Sequence, residues 1–297
     1  MAGRRTTRLR PPVPRAAPAE SGRSKAVRVV TAVAANVTLF TALLYYFGFL
    51  YTQVFFEYFR LHYTVLGQTA DEILARGVDG LLLPVAGTAG AGLVVLGAVR
   101  YLRHRLTDAA WAALLRGCAP VAAAGGLALV GVTVSIALDP RPYRAYAGLP
   151  GLGFAAGVVL LVFAWHRWSP GFAVAEWVVT YLLVTFGLFW SVGDYSGAVG
   201  TRRAFETAAG IPARPAVTLY SAESLNLGIA AETRCAAPEA AYKYRYTGLK
   251  LLLQSGGQYV FVPADWRPAT GVTAVLPRTD KLRLEFGPPT GRAVEPC

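Results

Sequence analysis

Five long apolar runs precede residue 194, four of them uncharged and the fifth carrying Glu176, and shorter period-two patterns follow. The first run is the longest. Between Arg28 and Glu57 lie 28 residues without a charge, and rings crowd its end: Tyr45, Tyr46, Phe47, Phe49, Tyr51, Phe55, Phe56, Tyr58, Phe59 and Tyr63. A membrane span needs about 20 apolar residues, and rings at one end are expected of an interfacial belt. The further runs place spans at about 80–99, 117–138, 146–165 and 172–193, after a first at about 29–56. The fourth is the weakest, with several glycines and Pro150 near its start. Between spans one and two, Thr69-Ala70-Asp71-Glu72 is a capping-box pattern, in which hydroxyl and carboxylate satisfy free N–H groups. It predicts a short amphipathic surface helix carrying Ile73 and Leu74.

Past Asp194 the pattern changes. Residues 194–214 read as a linker with a short helix over 201–210, broken by Pro212 and Pro215. Alternation at Ala216–Tyr220 and at Tyr242, Tyr244 and Tyr246 predicts half-buried strands. Leu249–Gln254 and Gln258–Val262 flank Ser255-Gly256-Gly257, a tight hairpin signal. Val272–Leu276 and Leu282–Phe286 complete a small β-domain over 215–290, followed by a tail at 291–297. A sheet of this size is marginal by itself. The bilayer surface, a disulfide or self-association would supplement it.

Charge gives the orientation. Residues 1–27, rich in Arg, Pro, Ala and Ser, predict a disordered basic tail. On the same side fall Arg100, Arg103, Arg105, Arg116 and Arg167. Opposite them, Arg60 and Arg76 are offset by Glu57, Asp71, Glu72 and Asp79, followed by Arg141 and Arg144. The positive-inside rule then puts the N-terminus in the cytoplasm. Five spans deliver the C-terminal domain outside, and losing the fourth would return it to the cytoplasm. The first run is too long for a signal-peptide core and is retained.

Composition agrees with spans. Apolar residues are 54% and charged residues 15% of the chain, against about 25% charged in soluble domains. Arg far exceeds Lys, and with abundant Ala, Gly and Val this suggests a GC-rich bacterial genome. The net charge of +12 would suit nucleic acid, but no reading motif accompanies it. Its concentration in the N-terminal flank fits topology and anionic lipid headgroups instead. Of three cysteines, Cys118 lies in an apolar run and reads as a small buried side chain. Cys235 and Cys297 share the tail and are a candidate disulfide if that compartment is oxidising.

Chemistry is sparse. His62, His104 and His166 fall in separate loops on two sides, so no shared metal site is expected. Gly151–Gly157 misses a dinucleotide fingerprint by one residue and lies in a span. There Gly153 and Gly157 have the GxxxG spacing that lets helices approach closely. No P-loop, nucleophile elbow or zinc-protease motif occurs. No catalytic, cofactor-binding or metal residue is assigned. Glu176, about one turn into span five, is a candidate intramembrane polar site; pairing with Arg167 or reaching headgroups is the plainer reading. Trp266 reads as an aromatic lid on the β-domain more than a ligand anchor. Asp194, Asp265, Lys281 and Glu285 read as solvated tail residues.

The Tyr45-Tyr46-Phe47-Gly48 and Phe56-Glu57-Tyr58-Phe59 segments, with Leu66 and Asp71–Leu74, resemble the first span and loop of uncharacterised actinobacterial multi-pass membrane proteins. Tyr244–Leu252, Ser255-Gly256-Gly257 and Val275-Leu276-Pro277 resemble their tail. The resemblance covers most of residues 30–287 and implies one architecture of spans plus tail, with no activity attached.

The expected fold is a membrane all-α bundle of five transmembrane helices with a small C-terminal β-rich extracytoplasmic domain. The expected location is a bacterial plasma membrane. The expected role is non-enzymatic: envelope interaction, sensing or assembly with other membrane or envelope proteins. A small transporter or channel subunit is the alternative. A membrane enzyme acting on lipid or cell-wall precursors is a third, resting on Asp71, Glu72 and Asp79.

Overall fold

A computed structural model describes residues 22–139, 146–168, 174–236 and 241–290. Two compact units divide the chain, residues 1–41 and 42–297. Five helices, each long and apolar enough to cross a membrane, are followed by an antiparallel sheet. The helices are α1 (Gly22–Tyr58), α2 (Ala70–Arg105), α3 (Asp108–Leu138), α4 (Leu149–Trp168) and α5 (Val174–Ala209). In the first unit α1 begins at Gly22, inside the stretch expected to be disordered, and its described valines and Phe40 are exposed. The basic tail up to residue 21, Arg141, Arg144 and the segment 291–297 lie outside the described residues.

The second unit starts at Ala42. Its helices pack through small residues, as lipid-embedded interfaces do. Gly157 of α4 lies against Gly126 of α3, where a Cβ would meet the Gly126 carbonyl at 3.0 Å. Gly153 of α4 lies beside Thr133 of α3. On the other face of α4, Gly151 meets Gly187 of α5 backbone to backbone. Helix α4 therefore sits between α3 and α5. Its 20 residues give about 30 Å of helix, one hydrocarbon thickness.

Helices α1, α2 and α5 continue past the level where α4 starts. Ser191 of α5 donates its hydroxyl to the Gly148 carbonyl, just before α4, at 2.6 Å. From there α5 runs on to Ala209, about five more turns. The sequence suggested a linker here, but nothing between Gly193 and Ala209 breaks the helix. Glu206 pairs with Arg202 at 3.5 Å and Arg203 at 3.1 Å in the added turns. Tyr46 stacks at an angle on Phe189, Phe47 on Tyr195 and Tyr58 on Phe205, so the end of α1 lines this extension. Residues Ile73, Gly77 and Leu81 of α2 are buried at four-residue spacing, and Ile73 and Gly77 abut Gly48 and Leu44 of α1. The expected surface helix at 69–79 is thus the first three turns of α2. It is capped by Thr69, and no breaker separates it from the span. Beyond Val85 every residue of α2 is exposed, including Leu93, Val94, Val95 and Leu96.

The sheet comprises β1 (Ala216–Ser221), β2 (Ala231–Arg234), β3 (Tyr244–Ser255), β4 (Gln258–Pro263), β5 (Ala274–Pro277) and β6 (Leu282–Gly287). The order is β5-β4-β3-β1-β6, all antiparallel, with β2 also paired to β3. The two stretches expected around Tyr246 and Leu251 are one twelve-residue strand. Gly248, at φ +84°, bends it between the parts paired to β2 and to β4. A register shift between Leu251 and Leu253 breaks the alternation, so that the adjacent Leu252 and Leu253 share one core while Leu249 and Leu251 pack in the other. One face packs beneath residues 225–230 around Tyr246, Leu249 and Phe261. The other packs on the helices.

Candidate functional site at the junction of helices and sheet

The second face of the sheet closes a core with the helix ends. Leu252, Val260, Val262 and Trp266 meet Phe55 and Phe56 of α1, Phe59 just after it, Ala204 of α5, Leu66 and Ile211. Phe56 and Phe59 are fully buried. The expected interfacial belt is therefore corrected in part: Tyr45 is exposed, but the last phenylalanines of α1 are core. Their burial follows from the hydrophobic effect, since the sheet covers rings that would otherwise face water. Trp266 lies 4.9 Å from Phe59 and 6.0 Å from Tyr58, centroid to centroid. It is a wedge between sheet and helix rather than a lid on the sheet alone.

Polar groups lock the same junction. Thr69 accepts from the Glu72 amide at 3.4 Å, the first half of the capping box. The Glu72 carboxylate instead crosses to the hairpin. It accepts from the Ser255 hydroxyl at 2.5 Å and the Gly256 amide at 3.3 Å. The Gln68 side chain contacts Ser255 at 2.8 Å, and with its amide turned it also accepts from Arg76. Arg76 reaches Thr52 at 3.4 Å and lies over the Phe56 ring at 5.6 Å. Arg60 donates to the carbonyls of Pro268 and Ala269, and Thr273 donates to the Phe59 carbonyl at 2.8 Å. Gly256 and Gly257 have φ +56° and +72°, as a two-residue primed turn requires. A Cβ on Gly256 would collide with the Leu66 carbonyl.

Beneath the sheet, Arg214 donates to the carbonyls of Leu251, at 3.0 Å, and Leu252, at 2.5 Å. Burial holds its guanidinium pKa below the usual arginine range. Lys250 is buried and donates to the carbonyls of Arg214 at 2.6 Å and Pro289 at 2.7 Å. These bonds tie β3 to the chain leaving α5 and to the segment after β6. Nothing in the sequence marks Lys250, Arg60 or Thr273 as junction residues. Their partners are backbone carbonyls 36 or more residues away.

The remaining sequence candidates are scattered. Of Asp71, Glu72 and Asp79, the Glu72 carboxylate is engaged by the hairpin. Lys281 pairs with Glu223 at 2.9 Å and Glu285 with Arg283 at 2.6 Å, both at the exposed surface. Asp265 borders a cavity of about 410 Å³ with Thr247, Gly248 and Pro263. Asp194 lies in α5. His62 hydrogen-bonds Thr64 at 2.7 Å, and His104 and His166 end α2 and α4. Among the described residues no group of three metal-binding side chains assembles. Cys118 is a free thiol exposed on α3, not the buried side chain expected, and Cys235 is disulfide-bonded; Cys297, its expected partner, lies outside the described residues.

Glu176 sits in the first turn of α5, on a groove of about 530 Å³ between α3, α4 and α5. Its Oε2 is buried without a hydrogen-bond partner. The expected pairing with Arg167 does not form among the described residues.

The chain matches no protein-family model, no curated protein and no solved structure.

Proposed function

We propose that this chain is an integral protein of a bacterial plasma membrane that holds a β-sheet platform rigidly against the outer face. The platform serves envelope interaction, sensing or assembly with other membrane proteins. The carrying observation is the junction: the sheet is seated on the same end of the bundle as the α1–α2 connection, by a buried aromatic core and charged hydrogen bonds. A flexible tether would suffice to display a domain. A packed junction instead couples any load on the sheet to α1, α2 and α5, which suits assembly or signal transfer. The Arg excess at the opposite end supports a cytoplasmic N-terminus.

The alternative, a small transporter or channel subunit, is favoured by Glu176 alone. A photocrosslinker at Phe286 or Val272, both exposed on the sheet domain, is expected to capture an envelope component in intact cells. Absence of sheet adducts, together with ion flux in vesicles that Glu176→Gln abolishes, would instead establish the transport reading.

A further inference from the structure

The groove beside Glu176 is built for an amphiphile. Its walls are Leu161, Val179 and Leu183, its rim carries the indoles of Trp165 and Trp168, and Glu176 borders it. At about 530 Å³ it falls in the range of small-molecule sites, about 300–1,000 Å³. The walls give an acyl chain the apolar contact it needs. Glu176 supplies the one acidic group among the described lining residues, and its buried Oε2 has no hydrogen-bond partner. A buried acceptor without a partner is costly, and a cationic donor satisfies it best. The exposed indoles of Trp165 and Trp168 line the same groove.

We propose that this groove binds an aminophospholipid of the bilayer, with an acyl chain along Leu161, Val179 and Leu183 and the primary ammonium on Glu176. The inference rests on the membrane reading above and adds a ligand to it. Charge complementarity selects the headgroup: an ammonium donates three hydrogen bonds, whereas a glycerol headgroup offers no positive charge. The lipid phosphate is shared by both headgroups, so any contact to Arg167 in the last turn of α4 would not discriminate between them.

The test uses the full chain extracted from membranes with detergent and offered equal phosphatidylethanolamine and phosphatidylglycerol, with bound lipid read by native mass spectrometry. Recovery in the membrane fraction tests the membrane reading separately. The wild type is expected to retain phosphatidylethanolamine preferentially, on the order of tenfold. Glu176→Gln should lose the preference while keeping its melting temperature. Val179→Phe, filling the groove from an exposed position, should lose bound lipid of both kinds. Equal retention by the wild type, or an unchanged preference in either variant, would overturn the proposal.

Discussion

The hydroxyl of Ser255 at the tip of the β3–β4 hairpin donates to the carboxylate of Glu72 in the first turn of α2, at 2.5 Å across 183 residues. Glu72 is placed by its own helix cap, since Thr69 fixes the start of α2. The hairpin is placed by its two left-handed glycines. Each element is locally determined, and the bond joins them. Replacing either partner by Ala should weaken hairpin docking by about 1–2 kcal/mol, a hydrogen bond to a charged group discounted for partial exposure. The double variant should cost little more than Glu72→Ala alone, which also removes the bond from the Gly256 amide. Hydrogen exchange at the Gly256 amide reads this directly, and additive effects would show that the two residues act independently.

The two hairpin glycines separate backbone strain from docking. Both need positive φ, which costs Ala about 1–2 kcal/mol. Only at Gly256 would the added methyl strike the Leu66 carbonyl; Gly257 has nothing within 4 Å. Gly256→Ala should therefore destabilise the solubilised protein more than Gly257→Ala, by about 1–3 kcal/mol for the forced displacement. Equal melting temperatures would mean the hairpin does not rest on the Leu66 backbone.

Glycine in the bundle divides the same way. Gly157 faces the Gly126 backbone, while Gly87 of α2 has open space around it. Leu at Gly157 should lower thermal stability in detergent by about 1–3 kcal/mol through overpacking, and Leu at Gly87 should leave it unchanged. A comparable loss at Gly87 would reveal a packing partner for the exposed half of α2.

Tyr246 gives the sheet an alkaline limit. Its hydroxyl donates to Glu232 at 2.8 Å and accepts from the Leu225 amide at 2.6 Å, inside the outer core. Burial raises its pKa above the ordinary tyrosine value. The folded state thus favours the neutral phenol. That stabilisation is complete below the unfolded pKa of about 10 and is lost as pH rises through the higher folded value. Tyr246→Phe should flatten the alkaline end of the stability curve, at a cost of about 1 kcal/mol at neutral pH for the lost hydrogen bonds. An unaltered alkaline limb would assign it to another group.

The long apolar helices were legible because four uncharged runs of 20 or more residues, and a fifth interrupted by Glu176, leave little choice of structure. The hairpin was legible because Ser255-Gly256-Gly257 admits a primed turn. The exposed strand β2, with no apolar alternation in Ala231–Arg234, gave no signal. The continuation of α5 past Asp194 was hidden because loss of hydropathy marks the end of a span, not of a helix. The role of the α1 rings was misread in part for a related reason. An aromatic cluster at a helix end suits a bilayer interface and a protein core equally, and only the tertiary partner Trp266 decides. Glu72 shows the same limit: three-residue spacing from Thr69 predicts a reciprocal cap, and a competing donor 183 residues away takes the carboxylate.

The most direct test of a sheet platform seated on the outer face is cysteine labelling in intact cells. A Cys118→Ser background should carry either Thr279→Cys, on the exposed loop before β6, or Arg103→Cys, in the last turn of α2. A membrane-impermeant maleimide is expected to label position 279 in intact cells and position 103 only after permeabilisation. Labelling of position 103 with protection of position 279 in intact cells would contradict the orientation and the function built on it.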